Sequence, residues 1–439
     1  MGQETIIIVG AGIFGASTAL QLSRLQRPCH VKLFDRGPFP NRKAASHDIN
    51  KMIRAAYDDM AYCRLGAHSL QTWRTHPLFR QWYHPSGMLF FLPHKGGANR
   101  ILENYRRMGF DSGAEVISPA QARSRFDGVF HAGDFGDAEE LLWDPHVGWA
   151  SAASALAGTV QAAIDGGVEY HADGIARLII ENGLCRGVET VGGLQHRAHK
   201  VLLSAGAETA RLLAESAPHD YQVHAGNRFV AAAIIEAKVK LNEEQIARYS
   251  STPAVLWDAD PVKGEVMPLT EDGYLKFIRD IPLKNTVKHV PSNTDISIPP
   301  TGSTGTEWTD PEEFPRKLRD EMTEVITGIF GKSEAKHMIP DGFRLCWEPM
   351  APDENWFVTP HSRCDGLYIA TAGTGHAWKF LPVIGELIVD MLLDPVKFKQ
   401  TELSKMWSWD RELIDSPDED VIPRRELRDV VEPLDQAHI

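Results

Sequence analysis

Three glycines near the start of the chain, Gly10, Gly12 and Gly15, have the G-x-G-x-x-G spacing that lets a backbone loop bind the phosphates of a dinucleotide. The first glycine permits a tight turn, the second lets a pyrophosphate approach the backbone, and the third lets a helix pack closely on a strand. The N-terminus of that helix, with Ile13 and Phe14 in its first turn, would offer unpaired N–H groups and a positive dipole end to the phosphates. The loop therefore predicts a dinucleotide site.

The segments around this loop have the patterns of the elements that must position it. Residues 5–9 are a short β-branched run typical of a buried strand, and residues 16–25 carry apolar side chains at helical spacing. A second strand-like run, 31–34, ends in Asp35, which is placed to accept hydrogen bonds from ribose hydroxyls, with Arg36 beside it. The sequence thus predicts one βαβ unit with a nucleotide at the ends of its strands.

The glycine loop alone does not separate FAD from NAD, but two further features favour FAD. The loop lies at the extreme N-terminus, and residues 199–209 are similar to the second strand–glycine element of flavoproteins, where Ala205 and Gly206 would pass near the nucleotide. We also expect the strand-like run 167–180 to contribute Ala176 to this site.

The composition is that of an ordinary globular protein and excludes several classes. Of the 439 residues, 43% are hydrophobic and 24% charged, which is too apolar for disorder. The 46 Lys plus Arg against 59 Asp plus Glu leave a net charge of −13, which argues against nucleic acid and anionic membrane as partners. No apolar stretch reaches the roughly 18 residues of a membrane span. The five cysteines lack CxxC spacing, so we predict neither a disulfide framework nor a metal site. The same cysteine pattern predicts a reducing compartment.

The length calls for two modules, because a single core rarely exceeds about 250–300 residues. We predict a discontinuous nucleotide-binding domain made of residues 1–80, 146–214 and 336–395. A second, mainly antiparallel substrate domain would consist of residues 81–145 and 215–335, which are richer in aromatic residues and prolines. Within it, residues 291–311 are rich in Ser, Thr, Gly and Pro and predict a loop. Residues 396–439 form a charged tail with helical fragments.

Two residues near the C-terminus have surroundings that could support chemistry. Cys346 would react as a thiolate, which needs a partly open, electropositive setting, and Arg344 could supply the positive charge. The common alternative is an inert buried cysteine. Lys379 follows a glycine turn and is flanked by Trp378, which suggests an apolar pocket where an ammonium is kept for a carboxylate partner. The alternative there is a solvated surface lysine.

Residues 343–392 closely resemble the C-terminal motif of the monomeric sarcosine oxidase and fructosyl amino acid oxidase (amadoriase) family. The matching elements are Arg344-Leu-Cys346-Trp347 and Gly373-Thr-Gly375-His376-Ala-Trp378-Lys379-Phe-Leu-Pro382. The resemblance extends over most of the chain and implies an α/β (α+β two-domain) flavoprotein. Its Rossmann-like FAD-binding domain would carry an inserted, mainly antiparallel β substrate domain, in a D-amino-acid-oxidase-like arrangement. It further implies that Cys346 bonds covalently to the 8α position of FAD (8α-S-cysteinyl), and that Gly375, His376 and Lys379 lie at the flavin.

Residues 45–59 resemble the flavin-facing loop of the same family and mix its amadoriase and sarcosine oxidase forms. The resemblance gives Ser46, His47 and Lys51 contacts with the cofactor, and Lys51 a catalytic role as well. Arg54 falls where sarcosine oxidases place the arginine that binds the substrate carboxylate, so Arg54 and Lys379 would form a two-point cationic clamp. The open alternative for Arg54 is a surface ion pair with one of the acids four and five residues later.

Three more residues are given substrate or oxygen roles by the resemblance. Lys276 aligns with the family lysine that bridges to flavin N5 through water and activates oxygen, and Lys379 joins it as a catalytic residue. Asp280 matches an acid that contacts the sugar of glycated substrates, although it is one methylene shorter than the usual Glu. Trp378 is assigned to the substrate site. The alternative for Lys276 and Asp280 is a pair of outward residues at a strand edge.

These features predict an FAD-dependent oxidase of secondary amines, which converts an N-substituted amino acid (fructosyl, N-methyl or related) to an imine that water hydrolyses, with O2 reduced to H2O2. A saccharopine or pipecolate oxidase and a biosynthetic tailoring amine oxidase are alternatives within the family. An NAD-dependent dehydrogenase and a non-catalytic flavin-binding protein are alternatives from other classes. The expected partners are a small amino acid derivative and molecular oxygen, and we expect a monomer. The cytoplasm is the expected compartment, with the peroxisome as the alternative. Relatives that produce peroxide often end in a peroxisomal tripeptide, and of the final residues Ala437-His438-Ile439 the first two suit such a signal and the last does not.

Overall fold

A six-stranded sheet carries the glycine loop at the end of one of its central strands. The computed structural model describes residues 4–25, 29–92, 96–257, 260, 262–300, 306–414 and 421–431. In spatial order the strands are Phe357–Pro360, Leu367–Thr371, Lys200–Leu203, Glu4–Val9, Cys29–Asp35 and Glu169–Ala172. Every neighbouring pair is parallel except the first, which is antiparallel. The sheet is therefore the Rossmann-like part that the sequence predicts.

The two faces of this sheet are covered by different elements, as the two-residue period of a strand requires. Ile6 and Ile8 pack with three helices, Ile13–Ser23, Ala152–Asp165 and Ile384–Leu393. Ile7 and Val9 pack on the other side, against the helix Thr209–Ser216 and a three-stranded antiparallel sheet. The strands of that small sheet are Ile175–Glu181, Leu184–Thr190 and Gln195–Arg197. Burial on both faces explains why the strand Glu4–Val9 is a continuous apolar run.

A second, nine-stranded and mainly antiparallel sheet forms the other half of the molecule. Along its path lie Gly342–Met350, Val230–Lys240, Tyr274–Lys284, Gly264–Met267, Ala254–Trp257, Met88–Phe91, Leu141–Asp144 and Glu115–Ile117, and Arg425–Glu426 pairs with the third of these. One face of this sheet is apolar and packs on the helix Arg316–Phe330. The opposite face forms a cavity wall.

The remaining elements connect the two sheets or cover their edges. Two small antiparallel sheets consist of Lys51–Ile53, Gly148–Ala150 and Tyr83–Pro85, and of Thr286–His289 and Thr294–Ser297. The remaining α-helices are Met60–Thr75, Gly97–Met108, Pro119–Ser124, Glu243–Tyr249, Lys332–Ala335, Pro395–Lys399 and Glu402–Met406. Short 3-10 helices are Arg80–Trp82, Phe126–Gly128, Gly206–Glu208, Pro311–Glu313, Trp378–Phe380 and Leu427–Asp429. None of the helices in the described ranges has the length and apolar character needed to cross a membrane.

The predicted fold class is confirmed, whereas some local assignments differ. The strand Gly342–Met350 belongs by pairing to the antiparallel sheet, although it falls in a segment predicted to be nucleotide-binding. The strand Thr294–Ser297 lies within the predicted loop 291–311, because it pairs with a neighbouring strand only in the folded chain. The described part of the predicted charged tail contains the helix Glu402–Met406, in agreement with the helical fragments expected there, and buries Trp407 and Trp409. The domain boundaries themselves stay predictions, and residues 437–439 lie outside the described ranges.

Candidate active site

The glycine loop has no room for side chains at its first and third glycines. A Cβ on Gly10, whose φ is +100°, would lie 2.3 Å from the Ser204 carbonyl oxygen. A Cβ on Gly15 would lie 1.9 Å from the Gly10 carbonyl oxygen, because this glycine lets the helix sit on the loop. At Gly12 the nearest atom would be the Ser46 hydroxyl at 3.1 Å, and this glycine lines an open cavity. The three positions thus have the separate roles that a dinucleotide loop requires.

Asp35 ties the end of the second strand to the glycine loop. Its Oδ2 accepts a hydrogen bond from the Ala11 N–H at 2.8 Å, and its Oδ1 accepts from the Arg36 N–H at 2.7 Å and Asn41 Nδ2 at 2.8 Å. Ser46 Oγ accepts from the Ile13 N–H at 3.0 Å and so caps the helix that follows the loop. These bonds fix the loop before any ligand binds.

A cavity of about 530 Å³, which we call the nucleotide cavity, runs along this loop and is lined by most of the predicted cofactor residues. From the N-terminal part it is lined by Gly10, Gly12, Ile13, Phe14, Asp35 and Arg36, and from the rest of the chain by Ser46, Lys51, Ala205, Gly206, Gly375 and Trp378. Arg36 forms an ion pair of 2.6 Å with Glu208 at the rim. A helix N-terminus, a side-chain-free glycine and an acid at the strand end together fit a dinucleotide. Ala176 adjoins Ile175, which lines this cavity.

A second cavity, of about 560 Å³, lies on one face of the nine-stranded sheet. Its wall is built from alternate residues of neighbouring strands, including Phe90, Leu256, Glu265, Lys276, Ile278 and Glu348. The residues between them point into the apolar core on the other face. We call this the sheet-face cavity. It shares Lys51, Glu348, Gly375 and Trp378 with the nucleotide cavity, so a dinucleotide and a second ligand could meet at these residues.

Five charged side chains form a buried charge cluster beside the junction of the two cavities: Asp48, Lys51, Glu236, Lys276 and Arg344. Lys276 Nζ donates to Asp48 Oδ2 at 2.5 Å and to the Asn50 carbonyl at 2.9 Å. Lys51 Nζ lies 3.0 Å from Asp48 Oδ2 and 3.4 Å from Glu236 Oε1. Arg344 donates to Glu236 and lies 3.3 Å from Asp48 Oδ2. Three cations against two anions leave this cluster with one excess positive charge.

The cluster stabilises its own charged forms despite burial. Burial alone raises the pKa of Asp48, but Lys276, Lys51 and Arg344 together hold that pKa well below its usual range. Burial likewise opposes ionisation of Glu236, whose pKa is lowered mainly by Arg344. Conversely, Glu236 and Asp48 hold the pKa of Lys51 well above its usual value against the effect of burial. The positive charge next to the cavity junction is therefore permanent near neutral pH.

Cys346 has the expected positive neighbour but not the expected openness. Arg344 Nη2 donates to Cys346 Sγ at 3.7 Å, yet the side chain is only 3% exposed and belongs to a small apolar cluster against which Ala45 and Ile422 pack. Burial, together with the charge of Glu236, raises the pKa of the Cys346 thiol to about 12. The partly open setting expected for a reactive thiolate is therefore not found, since the strand places this residue on a covered part of the sheet face.

Lys379 and Arg54 both lie in the sheet-face cavity. The Lys379 ammonium donates to Tyr57 Oη at 3.0 Å and to the His376 carbonyl at 2.6 Å. Its backbone carbonyl is fixed by Ser69 Oγ at 2.6 Å and by an indole N–H of the same helix. Burial and the charge of Arg54 lower the pKa of Lys379 well below its usual value. This lysine therefore has an apolar pocket, as its aromatic neighbours predict, and is not a solvated surface residue.

The Arg54 guanidinium lies over the Tyr57 ring, 4.3 Å from its centroid. The two acids that could have paired with it at the surface have other contacts. Asp58 lies 3.8 Å from Arg100, and Asp59 accepts a hydrogen bond from the Tyr62 N–H as the cap of the helix Met60–Thr75. Arg54 instead lines the sheet-face cavity, where its Nη1 donates a hydrogen bond to the Ala56 carbonyl.

The aromatic side chains beside Lys379 hold the cavity wall in place. Trp378 Nε1 donates to the Ser46 carbonyl at 3.0 Å, and its ring stacks on Trp73 at a centroid distance of 5.5 Å. His376 Nε2 accepts from Trp356 Nε1 at 3.1 Å, and burial and Lys379 lower the pKa of this histidine to about 3. His376 is therefore neutral, and Lys379 and Arg54 are the two basic groups of this wall that a ligand carboxylate can contact.

Not every predicted residue lies at the junction of the cavities. Asp280 is exposed at the rim of the sheet-face cavity. His47 contributes its backbone carbonyl, which accepts from Arg344 Nη1 at 2.6 Å. Gly15 acts by packing. These positions follow from local backbone direction, which the motif match does not specify.

Sequence reasoning missed four acids of the site. Asp48 and Glu236 anchor the buried charge cluster, Glu348 accepts a hydrogen bond from the Gly375 N–H at 2.9 Å, and Glu265 faces the sheet-face cavity. The signal that could have found Glu236 is a lone acid inside the apolar strand Val230–Lys240. Asp48 and Glu348 lie within the matched segments 45–59 and 343–392, although no role was assigned to them, and Glu265 has no such mark in the sequence.

Comparisons with known proteins agree with this arrangement. A family model described as DAO, FAD dependent oxidoreductase, matches residues 5–391. L-saccharopine oxidase from Schizosaccharomyces pombe is 24% identical over 430 residues, which cover 92% of this chain and 93% of that protein. Peroxisomal sarcosine oxidase from Mus musculus is 24% identical over 393 residues, covering 88% and 91%. A crystal structure of the fructosamine oxidase amadoriase II from Aspergillus fumigatus is 24% identical with a TM-score of 0.78, covering 98% and 97%. The family resemblance seen in the sequence is confirmed.

Proposed function

Because the chain belongs to the FAD dependent oxidoreductase (DAO) family, we propose that it oxidises the C–N bond of an N-substituted amino acid. The substrate becomes an imine, water hydrolyses the imine to a carbonyl compound and an amine, and O2 is reduced to H2O2. The observation that carries this proposal is the pair Arg54 and Lys379 in a cavity that adjoins the dinucleotide cavity. FAD supplies the redox chemistry when bound, and the protein supplies orientation and electrostatics.

The cationic pair would position the substrate through its carboxylate. A guanidinium can bind a carboxylate with two parallel hydrogen bonds, and the Lys379 ammonium would add a third, charged contact. Burial disfavours the charged form of Lys379, so an incoming carboxylate would raise the pKa of this lysine and favour its protonation. The substrate carboxylate would thus supply the negative charge that compensates the ammonium of Lys379.

The buried charge cluster would supply the charge that oxygen reduction needs. Lys276 and Lys51 lie at the sheet-face cavity, and their cluster carries one excess positive charge beside the junction of the two cavities. A fixed cation stabilises negative charge that develops on oxygen, and because Asp48 already holds Lys276 in place, no reorganisation is required.

A peroxide assay tests this function. Purified protein would be assayed with sarcosine, fructosyl-glycine, fructosyl-lysine, pipecolate and saccharopine, which cover the N-methyl, glycated and saccharopine or pipecolate alternatives. We expect H2O2 from at least one of them, and absence of H2O2 from all five contradicts the proposal for these substrates. Anaerobic bleaching of the flavin by the active amine separates an oxidase from a flavin-binding protein without catalysis.

We also propose that FAD is attached to Cys346 through its 8α carbon. The matched Arg344-Leu-Cys346-Trp347 sequence and the hydrogen bond from Arg344 to the sulfur support this. After acid precipitation, flavin should stay in the protein pellet of the wild type and enter the supernatant of Cys346→Ser. Release of flavin from the wild type refutes the bond.

Compartment and assembly complete the proposal. We propose a monomer in the cytosol, with the peroxisome as the alternative because a murine relative is named for that compartment. Size-exclusion chromatography with light scattering tests the first, and microscopy of an N-terminally tagged chain tests the second.

A further inference from the structure

One carboxylate in the sheet-face cavity has no part in the proposed reaction. We propose that Glu265 accepts a hydrogen bond from the protonated amine of a zwitterionic ligand and thereby selects ammonium-bearing carboxylates over uncharged ones of the same shape. This inference rests on the proposed function, because it takes the carboxylate of that ligand to be bound by Arg54 and Lys379.

The strand register places Glu265 on the same face as the cations of the site. It lies on the strand Gly264–Met267, directly opposite Ile278, and its neighbour on that face, Met267, lies opposite Lys276. All four of these side chains line the cavity. Glu265 therefore points into the space that a ligand would enter, and its backbone is fixed by strands on both sides.

Within the described part of the chain, no hydrogen bond or close ion pair holds the Glu265 carboxylate. The nearby Lys276 ammonium is already used by Asp48 and the Asn50 carbonyl. Glu348, another acid that lines this cavity, accepts a hydrogen bond from the Gly375 N–H. Glu265 thus differs from Glu348 because its carboxylate oxygens line the cavity and can accept a hydrogen bond from a ligand.

The electrostatics of the wall fit a ligand with both charges. Burial raises the pKa of Glu265, whereas Lys276, Lys51, Arg54 and Lys379 act in the opposite direction. A carboxylate held away from water is stabilised by a cationic hydrogen-bond donor, and hydrogen bonds between charged groups are stronger than those between neutral groups. In an α-amino acid the ammonium is one carbon from the carboxylate, and Glu265, Arg54 and Lys379 line the same cavity, so a ligand whose carboxylate is held by the clamp would carry its ammonium into the space that Glu265 lines.

A matched pair of ligands that cannot be oxidised to an imine tests the inference. In 2-aminoisobutyrate and 2,2-dimethylpropanoate an ammonium and a methyl group occupy the same position on the same carbon skeleton. Their dissociation constants would be measured on the FAD-loaded protein from changes in the flavin absorbance. We expect the wild type to bind 2-aminoisobutyrate about tenfold or more tightly than 2,2-dimethylpropanoate.

Glu265→Gln should reduce this ratio to about one while the affinity for 2,2-dimethylpropanoate stays or increases. Glu271→Gln is the matched control, because the same chemical change is made on a residue with an 84% exposed side chain, and it should keep the wild-type ratio. A wild type without preference for the ammonium ligand, or a ratio unchanged in Glu265→Gln, overturns the role of Glu265. If neither ligand binds the wild type, the carboxylate clamp and therefore the proposed function fail as well. The wild-type ratio alone decides the case if the variant does not fold.

Discussion

The two adjoining cavities of this protein differ in which part of the chain forms their walls, backbone atoms in one and side chains in the other. The nucleotide cavity is shaped by backbone atoms in close approach, with most of its loop taken from one short stretch, residues 10–15. The sheet-face cavity is lined by alternate side chains of strands that lie up to 260 residues apart, from Phe90 to Met350 (350 − 90 = 260). Steric exclusion therefore governs the first cavity, and the balance of charge governs the second.

The difference also appears in how each cavity treats its charged residues. Asp35 in the nucleotide cavity is satisfied by backbone and amide N–H groups. Beside the sheet-face cavity, the buried carboxylates Asp48 and Glu236 are neutralised by three cations of the buried charge cluster. Substitutions should therefore act through volume in one cavity and through uncompensated charge in the other.

The largest effect is expected from Gly15→Ala, which tests the steric half of this comparison. The added Cβ would lie 1.9 Å from a backbone oxygen, so the helix must move off the loop. We expect the FAD content of the purified protein to fall by about tenfold or more, measured from the ratio of visible to ultraviolet absorbance. Gly37→Ala is the control, because nothing lies within 4 Å of its Cβ. Equal FAD content in the two variants would contradict the steric argument.

Glu236→Gln tests whether charge compensation stabilises the buried charge cluster. It leaves Lys51, Lys276 and Arg344 with a single carboxylate, and an uncompensated buried charge costs about 3–5 kcal/mol. Urea unfolding should show a loss of that order. Asp320→Asn, which removes an exposed ion pair with Arg316, should change the free energy of unfolding by less than about 1 kcal/mol.

The same variant predicts a change in acid stability. The pKa of Glu236 is lowered in the folded state, so its stabilising contribution is present above the pKa of an unfolded glutamate and is lost as pH falls towards the folded value. The unfolding free energy of Glu236→Gln should therefore fall less between neutral and acidic pH than that of the wild type. Parallel profiles would show that Glu236 is not the charged partner that the geometry indicates.

A medium effect is expected at Lys379, whose charge depends on pH. The pKa of Lys379 lies well below the usual value of 10.5. As pH rises, its protonated form is therefore lost before pH 10.5 is reached. Affinity for 2,2-dimethylpropanoate should decline over this range in the wild type. In Lys379→Met it should be about tenfold weaker than the wild type at the lowest pH of the series and nearly independent of pH. A wild-type affinity that stays constant up to pH 10.5 would be inconsistent with this role.

The smallest effect is expected from Asp280→Asn. This acid is exposed at the rim, where water screens its charge. We expect KM for the active amine to change by less than about threefold. A much larger increase, found with a glycated amine and not with an N-methyl one, would give Asp280 the sugar-binding role that the family resemblance implies.

Prediction from sequence succeeded where function depends on neighbours in the chain. The glycine loop, the Asp35 that follows it and the apolar surroundings of Lys379 were all recognisable, because each is a short segment whose backbone geometry dictates the residue type. The partly open setting that a reactive Cys346 thiolate needs is not found, because this residue is buried in an apolar cluster against which Ala45 and Ile422 pack from distant segments.

The sequence by itself determined the family, the two kinds of sheet and the residues of the nucleotide loop, because strand period and glycine spacing are local properties. Only the tertiary structure decided which acids accompany the cations. Asp48 and Glu236 are 188 residues apart (236 − 48 = 188), and they meet Lys276 and Arg344 only after the strands pair. The physical reason is that charge compensation acts through space, whereas a sequence motif records only neighbours along the chain.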